Sequence, residues 1–161
     1  MPHSTNPANS RGELFQSNGV NPLIPPAVPA SAPVRNTGLN LRRILIVDDH
    51  EDSADSLARL LQLMGHDVVT ANDGLTAVET AETYRPDVVL LDLALPKLDG
   101  YSAAKRIREK PWAKHVLMIA ATGWGRAADR NRSIAAGFDH HMVKPVDLTE
   151  LVTLMSTRVN A

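Results

Sequence analysis

The chain has 161 residues, with 17 Lys and Arg against 18 Asp and Glu, for a formal net charge of −1. This balance gives no general attraction to nucleic acid or to an anionic membrane surface. Cysteine is absent, which excludes disulfides, thiolate zinc sites and cysteine nucleophiles. No apolar run reaches the ~20 residues of a membrane-spanning helix, so we expect a soluble, cytoplasmic protein.

The first 40 residues differ in composition from the remainder of the chain. They hold seven of the 11 prolines and only three charged residues. Such a segment buries too little apolar surface to offset the entropy of ordering it, which predicts a disordered or extended arm over residues 1–40. Within it, residues 21–33 favour polyproline II, either as a docking segment or as a tether. From residue 41 to 161 the composition is that of a globular domain.

Beyond the arm, short apolar runs alternate with amphipathic stretches. Apolar runs of this kind are typical of strands that are covered on both faces. The predicted strands, in chain order, are residues 44–47, 67–71, 88–91, 116–121 and about five residues within 138–143. The first predicted helix ends near residue 65, and the others span residues 75–84, 100–109, 126–136 and 147 onward.

Side-chain spacing and capping residues set the helix boundaries. The first helix carries an apolar stripe at i, i+3, i+4 and i+7, which is expected to face the core. The members of this stripe are Leu57, Leu60, Leu61 and Met64. Pro86 stops the second helix, and Asp147 with Glu150 resembles a capping box at the start of the last one.

Five strands that alternate with five helices run parallel and connect through right-handed crossovers. The sequence therefore predicts a doubly wound α/β domain. In such a sheet the functional site lies at the carboxyl ends of the strands. The residues that directly follow each strand are therefore the candidates for chemistry.

Polar side chains follow four of the predicted strands. Asp48 and Asp49 follow the first strand, Asp92 the third, Thr122 the fourth and Lys144 the fifth. A single Asp after a strand is most often a helix cap or a turn residue. Five such side chains meeting at one edge of the sheet instead favour a site.

The three carboxylates at this edge repel each other and need a cation to remain ionised together. All-oxygen ligation favours a hard ion, Mg²⁺ before Mn²⁺, and His50 has no second His in helical register to make a transition-metal site. A carboxylate beside such an ion, with a hydroxyl and an ammonium nearby, is arranged to attack a phosphoryl group. In this interpretation Asp92 forms an acyl phosphate while Lys144 neutralises developing charge.

Five segments of the chain together resemble the receiver domain of bacterial response regulators, the CheY-like family. They are ILIVDD at 44–49, VVLLDLALP at 88–96, DGY at 99–101, ATG at 121–123 and VKP at 143–145. The resemblance covers residues 41–161, which we predict to be a receiver domain. It implies a flavodoxin-like (βα)5 sheet with strand order 2-1-3-4-5.

The resemblance also implies a role for each matching residue. Asp92 is implied to be the phosphoacceptor and, together with Asp49, a direct Mg²⁺ ligand. Asp48 is implied to act on the metal through water, and the backbone carbonyl of Ala94 completes the protein's ligands. Thr122 is implied to be the hydroxyl that moves toward the phosphoryl oxygens.

Near the fifth strand the chain matches the family's lysine with Lys144, whose bond to Pro145 is implied to be cis. Three residues before that lysine the family carries Tyr or Phe, whereas this chain has His141. An imidazole titrates near neutral pH, so His141 is either a proton-sensitive switch or a surface residue of an edge strand. Ala94 offers no side chain to steer water and Trp124 is large enough to shade the site, which predicts slow self-hydrolysis of the acyl phosphate.

These roles predict a single-domain response regulator of a two-component phosphorelay. It would accept its phosphoryl group from a sensor histidine kinase or a histidine phosphotransfer protein, then act on a downstream protein or pass the group on. It would catalyse only its own phosphorylation and slow dephosphorylation. The chain ends about 14 residues after Asp147, too few for a DNA-binding domain. We therefore expect no nucleic-acid or membrane partner, while a homodimer is compatible with the pattern.

Three alternatives remain open at the level of sequence. A phosphatase of the haloacid-dehalogenase type also uses an aspartyl phosphate, but it requires an Asp two residues after the nucleophile, where this chain has Ala94. An interaction-only platform would use the receiver fold and the arm without phosphorylation. The chain is also compatible with a receiver detached from a hybrid kinase.

Overall fold

The computed structural model describes residues 40–123 and 127–157, with the side chains of residues 127–129 left aside. The chain divides into two units, Met1–Arg35 and Asn36–Ala161. The fold described below belongs to the second unit. The predicted N-terminal arm and Trp124 lie outside the described residues, so the boundary at residue 41 stays a prediction.

Strands and helices alternate along the whole described part of the chain. They are β1 Arg43–Val47, α1 Glu51–Leu63, β2 Asp67–Ala71, α2 Gly74–Tyr84, β3 Val88–Asp92, α3 Gly100–Arg108, β4 Leu117–Thr122, α4 Ala127–Ala135, β5 His140–Val143 and α5 Leu148–Thr157. A short 3-10 helix, Pro111–His115, stands between α3 and β4 and was not expected from the sequence. The last strand has four residues and is slightly shorter than predicted.

The strands form one parallel sheet in the order β2-β1-β3-β4-β5, which confirms the predicted fold. The register aligns the carboxyl ends of neighbouring strands. Asp92 at the end of β3 lies opposite Ala121 of β4, and Thr122 at the end of β4 lies opposite Val143 of β5. The residues that follow these strands are therefore brought to a common edge.

Two apolar clusters cover the two faces of the sheet. One face carries Leu45, Val47, Val89 and Leu91 and packs against α2 and α3. The other carries Ile44, Ile46, Val88 and Leu90 and packs against α1 and α5. Because β1 and β3 are buried on both faces, their sequences are continuously apolar rather than alternating. No helix within residues 40–123 and 127–157 has the length and apolar character needed to cross a membrane.

The inward face of α1 differs from the prediction at one residue. Its buried positions are Ala54, Ala58 and Leu61, at i, i+4 and i+7. Leu60 is 47% exposed, so its predicted place in the core is wrong. Successive residues of an α-helix are rotated by about 100° around its axis. Leu60 therefore points about 100° away from its neighbour Leu61, which packs against the sheet.

Capping contacts fix the helix starts. At α5 the Asp147 carboxylate accepts the backbone N–H of Glu150 at 2.8 Å, as the predicted capping box requires. At α2 the cap is Asp73, whose Oδ1 accepts the backbone N–H of Thr76 at 2.8 Å. The next residue, Gly74, lies directly against the β3–α3 connection, where an added Cβ would overlap the Leu98 backbone carbonyl.

Gly74→Ala is expected to lower the free energy of unfolding by about 1–3 kcal/mol, as overpacking does in well-packed sites. Alanine gains up to about 1 kcal/mol of helix propensity over glycine. The Leu98 carbonyl belongs to the backbone, however, and no side-chain rotation can relieve the overlap. Urea unfolding followed by circular dichroism measures the change.

The matched control is Gly123→Ala, because a Cβ at Gly123 would meet no described atom within 4 Å. That variant should unfold within about 0.5 kcal/mol of the wild type. Equal stability of the Gly74 and Gly123 variants would contradict the close packing of α2 against the β3–α3 connection.

Candidate functional site

The carboxyl edge of the sheet brings together charged side chains from three strands. The Lys144 Nζ lies 2.7 Å from the Asp48 Oδ2 and 2.6 Å from the Asp92 Oδ2. Asp92 is only 5% exposed and Asp48 is 9% exposed. The ammonium of Lys144 therefore bridges two carboxylates that are largely withdrawn from water.

Asp92 is hydrogen-bonded through both of its carboxylate oxygens. While Oδ2 faces Lys144, Oδ1 accepts the backbone N–H of Ala94 at 2.9 Å. These two donors fix the orientation of the carboxyl group. Asp92 therefore has the properties of a pre-oriented oxygen nucleophile.

A second acidic group lies where the chain leaves β1. The Asp48 Oδ1 accepts the backbone N–H of His50 at 2.9 Å, and the His50 Nδ1 lies 3.1 Å from the Asp49 Oδ1. One ligand atom from each of Asp48, Asp49 and His50 lies within 4.8 Å of the others. The Asp49 side chain is 35% exposed. Its carboxylate is therefore accessible to a hydrated cation.

The donor chemistry of this edge fits a hard divalent cation. Carboxylates of Asp48, Asp49 and Asp92 and the backbone carbonyl of Ala94 are all oxygen donors, which Mg²⁺ prefers. His50 adds a nitrogen donor, but its side chain is 75% exposed. The carboxylates of Asp48 and Asp49, which lie close together, match the ligand preference of Mg²⁺.

The lysine bridge shifts the pKa values of its partners. Burial alone would raise the pKa of Asp48, but hydrogen bonds from Lys144 and from the His50 backbone, with the positive charge of Lys144, lower the pKa below its ordinary value of 3.8. Burial alone would lower the pKa of Lys144, but its hydrogen bonds to Asp48 and Asp92 raise the pKa above 10.5. Lys144 therefore stays an ammonium and Asp48 a carboxylate at neutral pH.

Thr122 and Lys144 are held next to each other through the backbone. The Lys144 backbone N–H donates to the Thr122 carbonyl at 2.7 Å. Thr122 is 8% exposed, and its hydroxyl belongs to the last residue of β4. The Lys144–Pro145 peptide bond is cis, as the resemblance implied.

His141 lies apart from this cluster of charges. It is half-buried on β5 opposite Ala120, and its Nδ1 lies 3.3 Å from the Ser133 Oγ of α4. Ser133 is only 1% exposed. The imidazole therefore connects the edge strand with the buried side of α4 rather than with the carboxylates.

One ion pair near the site was not found from the sequence. The Lys97 Nζ, in the connection that follows Asp92, lies 2.6 Å from the Asp73 Oδ2. The pair Asp73-Gly74 resembles a helix start in the sequence, but no sequence signal joins it to Lys97. Only the path of the β3–α3 connection brings the two side chains together.

Comparisons with known proteins agree with this geometry. Residues 44–156 match the model of the response regulator receiver domain family. The chain is 37% identical over 110 residues to the alkaline phosphatase synthesis transcriptional regulatory protein PhoP of Bacillus subtilis, covering 68% of this chain and 45% of PhoP. It is 39% identical over 117 residues to the transcriptional regulatory protein PrrA of Mycobacterium tuberculosis, covering 73% of this chain and 49% of PrrA.

A solved structure shares the fold over the same region. The receiver domain of the sensor histidine kinase PA1611 from Pseudomonas aeruginosa, with magnesium coordinated in its active site cleft, superposes with a TM-score of 0.68 at 32% identity. The alignment covers 75% of this chain and 99% of that domain.

The chain spans about half the length of the curated relatives it matches. Because both are named as transcriptional regulators, the expectation that this protein contacts no nucleic acid gains no support from them. The family match and the sheet order lead to the same assignment. The chain belongs to the response regulator receiver domain family and is a receiver domain of a two-component system.

Proposed function

We propose that Asp92 accepts a phosphoryl group from a phosphohistidine of a histidine kinase or histidine phosphotransfer protein. The observation that carries this proposal is the bridge from Lys144 to Asp48 and Asp92, which sets a buried, oriented carboxylate next to a cation and a second carboxylate. A carboxylate oxygen of Asp92 attacks phosphorus as the bond from phosphorus to the imidazole nitrogen breaks. If its other ring nitrogen carries a proton, the imidazole leaves as the neutral base. Otherwise the leaving nitrogen takes a proton from water.

Each neighbouring group has a defined part in this transfer. Lys144 stays protonated at neutral pH and pairs with an oxygen of the transferred group. The carboxylates of Asp48, Asp49 and Asp92 and the carbonyl of Ala94 would hold Mg²⁺, or Mn²⁺, which when bound neutralises charge on the phosphoryl oxygens. The Thr122 hydroxyl donates to the new acyl phosphate, and β4 transmits that contact to α4.

An apolar groove supports the docking of a phosphodonor protein beside this site. The groove has a volume of about 570 Å³ and runs from Asp48 and Lys144 between α1 and α5. Leu57 and Leu60 of α1 line it together with Leu148 of α5. A donor that must reach Asp92 gains apolar contact area here, so we assign the groove to the phosphodonor protein.

Three further residues tune the proposed switch. His141 takes the place of the family's aromatic residue and couples β5 to α4 through Ser133, which supports a role in the response of the downstream surface. Ala94 has only a methyl side chain with which to orient water. Together with the bulk of Trp124 in the sequence, this supports a long-lived acyl phosphate that the domain itself forms and slowly hydrolyses.

Incubation with acetyl phosphate and Mg²⁺ should add one phosphoryl group to the wild-type chain, and Asp92→Asn should gain none. The amide that replaces the carboxylate in this variant is a poor nucleophile and cannot form the acyl phosphate. Intact-mass spectrometry with and without EDTA measures the adduct. Asp87→Asn is the matched control, since Asp87 directly precedes β3 at the opposite end of the same strand.

Three results would count against this assignment. An adduct on the Asp92 variant would place the acceptor elsewhere. Equal loss of the adduct in the Asp87 variant would mean that labelling does not depend on Asp92 in particular. Rapid, repeated hydrolysis of acetyl phosphate would instead favour a phosphatase.

Asp49→Asn should weaken Mg²⁺ binding by about 10-fold or more, equivalent to ~1.4 kcal/mol. The substitution replaces a charged oxygen donor by a neutral one at the exposed side of the site. Titration calorimetry with Mg²⁺ and Mn²⁺ measures both affinities. The matched control is Asp52→Asn, which removes the same charge from the first turn of α1. If this variant weakens Mg²⁺ binding equally, Asp49 acts through its negative charge alone and not as a ligand.

Lys144→Met should lower the free energy of unfolding at pH 7 by about 1.5–3 kcal/mol, the value of hydrogen bonds to charged groups. Asp48 has a lowered pKa, so its contribution is present above 3.8 and is lost as pH falls through the folded-state pKa. Lys144 has a raised pKa, so its contribution is present below 10.5 and is lost as pH rises through the folded-state pKa.

The stability difference between wild type and Lys144→Met should therefore be level around neutral pH and shrink above pH 10.5. In acid it should begin to shrink above pH 3.8, because burial without the lysine raises the pKa of Asp48 in the variant. Urea unfolding in EDTA at several pH values measures it. Lys105→Met, at an exposed position of α3, should change stability little at any pH. A Lys144 variant as stable as the wild type at pH 7 would refute the bridge.

A further inference from the structure

The connection between β3 and α3, residues 93–99, carries the groups that surround Asp92. We name it the acceptor loop. Its first residue is tied to β4, because the Leu93 N–H donates to the Ala121 carbonyl at 3.0 Å. Its second residue, Ala94, donates its N–H to Asp92. The position of this loop therefore sets both the orientation of Asp92 and the place of the Ala94 carbonyl.

An ion pair fastens the far half of the acceptor loop to α2. The Lys97 Nζ lies 2.6 Å from the Asp73 Oδ2. The Asp73 side chain is only 4% exposed, whereas that of Lys97 is 63% exposed. An exposed lysine thus reaches inward to a carboxylate that is enclosed at the start of a helix.

Asp73 is a fixed anchor for this contact. Its Oδ1 accepts the backbone N–H of Thr76 at 2.8 Å, and its Oδ2 accepts the Thr76 hydroxyl at 3.1 Å. The hydrogen bond from Lys97, followed by that from the Thr76 backbone, lowers the pKa of Asp73 to about 2. The carboxylate stays charged at every pH at which the site would work.

The backbone of the acceptor loop is shaped around the same contact. Lys97 has a φ of +64°, in the left-handed region that a side chain with a Cβ rarely adopts. The next carbonyl, that of Leu98, lies against Gly74, where no side chain would fit. At this turn the Leu98 N–H donates to the Pro96 carbonyl at 2.7 Å, and the Lys97 side chain leaves the turn toward Asp73.

We propose that Lys97 is a positioning residue for phosphoryl transfer, holding the acceptor loop to Asp73 so that Ala94 keeps its place beside Asp92. The inference rests on the proposed roles of Asp92 and of the Ala94 carbonyl as a ligand. Lys97 acts through the loop and is separate from the bridging ammonium of Lys144. Loosening the clamp displaces the Ala94 carbonyl and weakens the hydrogen bond that orients Asp92, while Asp48 and Asp49 stay in place.

Two substitutions break the clamp without disturbing the backbone. Lys97→Asn keeps a residue that tolerates positive φ, and Asp73→Asn keeps a side chain that caps helices well. Each should raise the Mg²⁺ concentration for half-maximal labelling by acetyl phosphate by roughly 10-fold, as outer-sphere substitutions commonly do. Labelling at saturating Mg²⁺ should still reach one phosphoryl group per chain.

The double variant, Lys97→Asn with Asp73→Asn, shows whether the two residues act through their contact with each other or independently. If Lys97 and Asp73 act only through each other, the double variant should match either single variant. Lys97→Arg should keep the Mg²⁺ concentration for half-maximal labelling close to that of the wild type, because a guanidinium keeps the ion pair with Asp73. Lys114→Asn, which removes an exposed lysine from the 3-10 helix, should behave as the wild type.

An unchanged Mg²⁺ dependence in Lys97→Asn would overturn the proposal, as would additive effects in the double variant. Titration calorimetry measures the same change in Mg²⁺ affinity without any phosphorylation. A wild-type chain that binds Mg²⁺ but gains no adduct would therefore refute the proposed function, while the calorimetry still decides the role of Lys97.

Discussion

The arrangement of the site depends on one ammonium group shared by two carboxylates. Asp48 and Asp92 end neighbouring parallel strands, so their side chains necessarily approach each other at the edge of the sheet. Both are largely buried, and two carboxylates withdrawn from water repel each other unless a cation lies between them. Lys144 reaches both oxygens at 2.6–2.7 Å and removes that conflict. The same contact links β1, β3 and β5 at the carboxyl ends of these strands.

Burial on both faces of the sheet explains why β1 and β3 carry charged side chains only at their ends. β1 and β3 are packed between two apolar clusters, and a charged side chain in the middle of either strand would have no partner there. The first positions where a carboxylate can meet solvent, a cation or a lysine are the residues at and just beyond the strand ends. The packing that stabilises the fold therefore also brings Asp48, Asp92 and Lys144 to one edge of the sheet, as their positions after the strands predict.

The sequence predicted those features that depend on local pattern and on parallel topology. Strand order and the approach of Asp48, Asp92 and Lys144 follow from apolar runs and the residues after them. The Lys97–Asp73 pair was missed because it depends on the path of a loop, which no periodicity encodes. Leu60 was misplaced because the leucine spacing does not show that α1 packs on the sheet through Ala54, Ala58 and Leu61. Leu60 instead lines the groove beside the site.

The proposed reaction acts on the bridge itself, and this gives the switch a physical basis. Phosphorylation moves negative charge from the Asp92 carboxylate to phosphoryl oxygens farther from the strand, and Lys144 must divide its hydrogen bonds between that group and Asp48. The Lys144 backbone is bonded to the Thr122 carbonyl at 2.7 Å, so a shift of the lysine is felt at the end of β4, from which the chain leads to α4. In the proposed switch, the change in the pairing of this ammonium would alter the contact of Lys144 with the end of β4, while Asp48 remains one of its partners.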